Sequence, residues 1–136
     1  MTTRSDPIRV LIIDGHELFR QGVSALLLRD PRFEVVGDTA GAVEAKAMAH
    51  ELQPDLVLLD NHLRHIDSLV LLSSLREAAP GARVLMLTVK DEDRDMERAL
   101  RAGACGHLRK TVDAQALAEA LVKAAGGDCM AVGGSA

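Results

Sequence analysis

The stretch IRVLIIDGHELFRQGVSALLLRD, residues 8–30, decides the fold. Its first six residues are an apolar run rich in branched side chains, which reads as a strand because such side chains suit a pleated surface. The run stops at Asp14. From His16 onward apolar residues recur at spacings of three and four, the period of a helix with one buried face. A short strand that hands over directly to a helix is the opening half of an alternating α/β pattern.

The rest of the chain repeats that pattern. FEVVG (33–37), DLVLL (55–59), RVLMLT (83–88) and ACGHL (104–108) read as four further strands, bounded by turn or charge signals. Between and after them, AGAVEAKAMAHEL (40–52), DSLVLLSSLREAA (67–79), DEDRDMERALRAG (91–103) and DAQALAEALVKAAGG (113–127) carry the helical period. Pro31 closes the first helix, Pro54 and Pro80-Gly81 follow the second and third, and Gly103 and Gly126 stand where left-handed C-caps belong. Strands two to four are near-continuous apolar runs, as expected when helices cover both faces of a parallel sheet. Right-handed crossovers then predict an open, doubly wound, five-stranded parallel sheet.

Composition sets the limits. With 136 residues and 48% hydrophobic content the chain is long enough for one real core and short for two. A net charge of -4, no Trp, no Tyr, and Phe19 and Phe33 as the two aromatics leave neither a basic footprint nor stacking platforms, so direct nucleic-acid contact is not expected. No apolar segment approaches the ~20 residues of a membrane span. Cys105 and Cys129 lack metal-type spacing and no leader pattern opens the chain, so the expected setting is cytoplasmic and reduced, with both cysteines acting as small apolar side chains.

Open α/β sheets bind ligands beyond the carboxyl ends of their strands. Those ends carry Asp14 after the first strand, Asp60 after the third, Thr88 closing the fourth and Lys110 just past the fifth. This set suits a phosphoryl group. One carboxylate can act as nucleophile and another can hold a divalent cation, while a hydroxyl and an ammonium bond the phosphoryl oxygens.

In RVLIIDGHELFRQGVSALL, EVVGDTAGAVEA, PDLVLLD, ARVLMLTV and ALRAGACGHLRK, taken in order, the chain resembles a receiver domain of the two-component response regulators, nearest the NarL/FixJ subfamily. The resemblance covers nearly the whole chain. It implies a flavodoxin-like (βα)5 fold with strand order 2-1-3-4-5, a receiver domain over 1–127, and a flexible tail or linker start over 128–136. It implies that Asp60 is the residue phosphorylated by a sensor histidine kinase, and that Thr88 and Lys110 sense the phosphoryl group. Asp14, Asp60 and the backbone carbonyl of His62 would hold Mg²⁺, and Thr88 with His107 would form the switch. The resemblance further implies a homodimer, and transcription control through a helix-turn-helix domain absent from this chain. Such a protein is not an enzyme beyond assisting its own aspartyl phosphorylation and dephosphorylation.

The departures from the family pattern carry as much weight. Receivers usually have two adjacent acids after the first strand, the second of them the direct metal ligand, and here that position is Gly15. Mg²⁺ binding is therefore expected to be weak or absent, with phosphorylation slow or lost. Glu17 reads as a solvated residue in the first turn of the first helix, where it suits the helix dipole. After Asp60 the chain has NHLRHID instead of a Met-Pro-Gly turn, which removes the preset turn geometry and adds His62, Arg64 and His65. His107 stands where an aromatic switch residue is usual. Two readings of the pocket stay open: an atypical receiver governed by partner contact or dimerisation, and a fully phosphorylatable one at Asp60. From another class, Asp14-Gly15-His16 begins a cobalamin D-x-H-x-x-G loop with His16 as cobalt ligand, but Phe19 replaces its glycine. A flavin carrier would share the topology, but the loop lacks its Ser/Thr-rich phosphate turn.

Overall fold

A computed structural model describes residues 6–89 and 93–129, the side chains of 93–95 excepted. Five parallel strands, β1 (Ile8–Ile13), β2 (Phe33–Thr39), β3 (Leu56–Asp60), β4 (Arg83–Thr88) and β5 (Gly106–Arg109), form one sheet in the order β2-β1-β3-β4-β5. They alternate with α1 (Glu17–Leu28), α2 (Ala42–Leu52), α3 (Ser68–Ala78), α4 (Asp93–Arg101) and α5 (Ala114–Ala125). The flavodoxin-like architecture and its strand order are those that the resemblance implies.

Side-chain alternation along the strands divides the core in two. Ile8, Val10, Ile12, Leu58 and Leu87 pack with Val23 and Leu27 of α1 and Leu117 and Leu121 of α5. On the other face Leu11, Ile13, Leu59 and Met86 pack with Ala45 and Ala49 of α2, Leu71 and Leu75 of α3, and Ala99 of α4. β3 is buried along its whole length because it has neighbours on both edges and helices on both faces.

β2 departs from the continuous burial predicted for it. It forms an edge of the sheet, and within it only Phe33 is fully buried. At Gly37 the α2 side packs so closely that a Cβ would strike the Met48 methyl.

Two local expectations also change. Gly103 caps α4 in the left-handed region, with φ +108, but Gly126 has φ -80 and it is Gly127, with φ +91, that turns the chain after α5. That turn bears on the cysteines. The expectation of two reduced, separate thiols is corrected: Cys105 and Cys129 form a disulfide with their Cα atoms 4.6 Å apart. α5 runs back antiparallel to β5, so the residues after its C-terminus arrive beside those that lead into β5. Asp128, whose N–H donates to the Lys123 carbonyl at 2.9 Å, and Cys129 are thereby held. The remainder of the expected 128–136 tail lies outside the described residues. Among the described residues no helix is long and apolar enough to cross a membrane.

Candidate functional site

Strand register builds the site. Ile13 lies opposite Leu59, so the next residue of each strand, Asp14 and Asp60, comes level at the same rim. Thr88 lies opposite Arg109, which brings Lys110 to that rim as well. The main chain extends the ladder by one step on each side, with Asp14 N–H donating to Thr39 O at 3.0 Å and Lys110 N–H to Thr88 O at 2.8 Å.

Asp14 is fully buried and Asp60 is 2% exposed. Lys110 Nζ lies 2.7 Å from Asp14 Oδ2 and 3.4 Å from Asp60 Oδ2. These are ion pairs by distance without hydrogen-bond alignment, and neither Oδ2 makes a hydrogen bond. The other oxygens are committed. Asp60 Oδ1 accepts from the His62 N–H at 3.0 Å, and Asp14 Oδ1 accepts from the His16 N–H at 2.8 Å. Each carboxylate is thus fixed by its own loop through one oxygen and presents the other to the pocket.

Sequence reasoning missed several supporting groups. Ser68 Oγ, buried at the start of α3, donates to Asp60 O at 2.9 Å and ties the loop after β3 to its helix. Arg20 donates through Nη1 to Asp14 O at 2.6 Å and through Nε to Asp38 Oδ1 at 2.9 Å. The Phe19 ring lies 5.0 Å from Lys110 Nζ, a distance at which an aromatic face attracts a cation. No sequence pattern announces these contacts, since each depends on how a connecting loop folds or a neighbouring element packs.

His16 also differs from a simple helix-start residue. It is the N-cap of α1 but makes no side-chain capping bond. Its Nδ1 instead lies 3.1 Å from Asp14 Oδ1 and 3.1 Å from Lys110 Nζ. Glu17 is exposed, as expected, and accepts from Gln21 Nε2. In the NHLRHID loop His62 is exposed, and His65 adopts φ +67, the left-handed conformation that glycine takes at no steric cost. Thr88 and His107 are both buried, at 4% and 8% exposure, and His107 lies opposite Met86 in the sheet.

Gly15 leaves an opening. A Cβ built there meets no atom within 4 Å, and the backbone is outside the left-handed region, so a side chain would fit. Two buried carboxylate oxygens without hydrogen bonds suit a divalent cation, but among the described residues no third carboxylate stands beside them. Among the described residues the third donor in reach is the His16 imidazole, whose ligand atom lies within 4.8 Å of those of Asp14 and Asp60.

The response regulator receiver domain family matches residues 10–122. The chain is 40% identical over 121 residues to the response regulator protein VraR of Staphylococcus aureus, covering 89% of this chain and 58% of that protein. It therefore spans somewhat over half the length of that relative. Among solved structures it is similar to the signal receiver domain of the putative response regulator NarL from Mycobacterium tuberculosis. That match has a TM-score of 0.84 and 30% identity, and covers 90% of this chain and 98% of the other. It is also similar to a response regulator from Burkholderia pseudomallei solved with a phosphorylated aspartic acid, calcium ion and citrate. There the TM-score is 0.77 with 26% identity, over 88% of this chain and 69% of that one.

Proposed function

This chain belongs to the response regulator receiver domain family, and from that premise we propose that Asp60 accepts a phosphoryl group from a sensor histidine kinase. The observation that carries the reading is the single ammonium of Lys110 set between Asp14 Oδ2 and Asp60 Oδ2 at the carboxyl rim of the sheet. Asp60 Oδ2 attacks phosphorus as the bond from phosphorus to the donor's leaving atom breaks, and the leaving group departs with the electron pair. Lys110 and the Thr88 hydroxyl then bond the new phosphoryl oxygens, and His107 follows Thr88 as the second half of the switch. Response regulators are phosphorylated in this way by partner kinases, and receiver domains are not enzymes in the ordinary sense. Any help this chain gives to its own phosphorylation and hydrolysis is part of the proposal.

Asp14, Asp60 and the His62 carbonyl are the groups proposed to hold a divalent cation, which when bound would neutralise charge on the transferring phosphoryl. With Gly15 in place of an acid, Mg²⁺ binds weakly and phosphorylation by small donors is slow. Output then depends also on partner contact and on dimerisation. Exposed Leu18 and Leu26 on α1, beside a groove of about 410 Å³ between α1 and α5, support a homodimer. The chain spans 58% of the length of VraR, which supports a further output domain beyond 128–136, proposed to bind DNA and through it to regulate transcription. A cytoplasmic setting rests on the kinase reading and no longer on the cysteines.

The test is incubation with acetyl phosphate and Mg²⁺, followed by mass spectrometry. Slow or partial addition of one phosphoryl group, lost in Asp60→Asn and accelerated in Gly15→Asp, is the expected result. The second reading, a fully working switch, is favoured by the intact Asp60, Thr88 and Lys110 set. Rapid stoichiometric modification of the unaltered protein, unchanged by Gly15→Asp, would establish it instead.

A further inference from the structure

Three donors and one ammonium meet at the pocket mouth. Lys110 Nζ lies 2.7 Å from Asp14 Oδ2, 3.1 Å from His16 Nδ1 and 3.4 Å from Asp60 Oδ2. It occupies the focus of the three side chains whose ligand atoms lie within 4.8 Å of one another, so a cation already stands where a metal ion would sit. Both carboxylates are buried, and their Oδ2 atoms are aimed inward without a hydrogen bond. The His16 ring is set by its own backbone: its N–H donates to Asp14 Oδ1 at 2.8 Å, and the ring folds over the same oxygen. Its Nδ1 faces a carboxylate and an ammonium at equal distance, and one tautomer cannot donate to the first and accept from the second. A metal ion accepting the Nδ1 lone pair would resolve that conflict. The His16 side chain is 67% exposed, which leaves an open side for the ion to enter and for waters to complete its shell.

We propose that Asp14, His16 and Asp60 form a mixed carboxylate and imidazole site for a first-row transition divalent ion, of the Co²⁺ and Zn²⁺ kind, with His16 Nδ1 as a direct ligand. The inference deepens the reading of this pocket as a cation site, and it reverses the expectation of a merely impaired Mg²⁺ site. Mg²⁺ demands oxygen ligands in near-octahedral array, and Gly15 withholds one. Imidazole suits the later transition ions, so the substitution of side chains changes which cation the pocket prefers. The ion displaces the Lys110 ammonium from the centre, leaving it free to meet a phosphoryl oxygen.

Affinity order by itself decides nothing, because most donor sets bind Zn²⁺ more tightly than Mg²⁺. The decisive readout is the difference a single ligand makes. The full chain is titrated with Co²⁺, Zn²⁺ and Mg²⁺ separately, by visible absorption for Co²⁺ and calorimetry for the others, in wild type and His16→Asn. His16 makes no core contact, so the variant is expected to fold, and circular dichroism checks it. The expected result is a loss of at least about tenfold in Co²⁺ and Zn²⁺ affinity with Mg²⁺ affinity within about twofold of wild type. In wild type, proton NMR with Co²⁺ should show strongly shifted resonances from the His16 ring that vanish in the variant. Unchanged Co²⁺ and Zn²⁺ affinity in His16→Asn, or shifted resonances from His62 or His65 instead, would overturn the proposal. Phosphorylation of Asp60 in Mg²⁺ reports on the function proposed above and not on this one, so the two can fail separately.

Discussion

Replacing Cys129 with serine isolates what the bridge between the lead into β5 and the segment after α5 contributes. The two cysteines are 24 residues apart in sequence, so the bridge closes a loop of about 25 residues in the unfolded chain. The chain-entropy relation assigns such a loop a stabilisation of about 3.5 kcal/mol at 25 °C. Little else changes in the variant: Cys129 is exposed, and Cys105, 3% exposed, keeps its sulfur in the core. For a chain of 136 residues, an unfolding entropy near 2.1 cal/mol/K per residue gives about 0.29 kcal/mol/K. The loss therefore corresponds to a Tm lower by about 12 °C. Thermal unfolding followed by circular dichroism, with and without reductant, is the assay. The wild type should fall by a similar amount on reduction, while Cys129→Ser should not respond to reductant. A wild type with two titratable thiols under non-reducing, denaturing conditions would refute the pairing. An intact bridge whose removal moves Tm by less than about 3 °C would refute the energetic argument.

Three further perturbations probe the frame around the site. Leu71→Ala, at a fully buried position where α3 meets the sheet, should cost about 2–5 kcal/mol in urea unfolding, and an unchanged midpoint would mean that face is not packed as described. Ser68→Ala removes the hydroxyl that holds Asp60 O, and should cost about 1 kcal/mol in the same assay while slowing phosphoryl incorporation at Asp60. His65→Gly relieves a left-handed residue worth about 1–2 kcal/mol of strain against about 0.5–1 kcal/mol of added chain entropy. It should therefore raise Tm slightly, and a fall would show that the His65 side chain has a role of its own.

The alternation of strands and helices and the rim that gathers Asp14, Asp60, Thr88 and Lys110 are legible in the residues themselves, while the sheet order follows from the resemblance to receiver domains. The alternation is legible because burial preference repeats along the chain with the period of each element, and proline and glycine mark the breaks. β1 and β4 coincide with IRVLII and RVLMLT to the residue, since each is an apolar run bounded by a charge or a proline-glycine turn. The apolar pattern places β5 two residues early, because Ala104 and Cys105 are as apolar and buried as the strand they lead into. What lay beyond the sequence were the relations set by packing between distant elements. The return of α5 alongside β5 joins two cysteines whose spacing carries no signal. The loop after Asp60 spends its left-handed position on His65, where a glycine would have announced it. Above all, only the packed structure brings the Lys110 ammonium against the His16 ring: the ring lies over Asp14, two residues away, but its second partner stands 94 residues along the chain and reaches the rim through the register of β4 with β5.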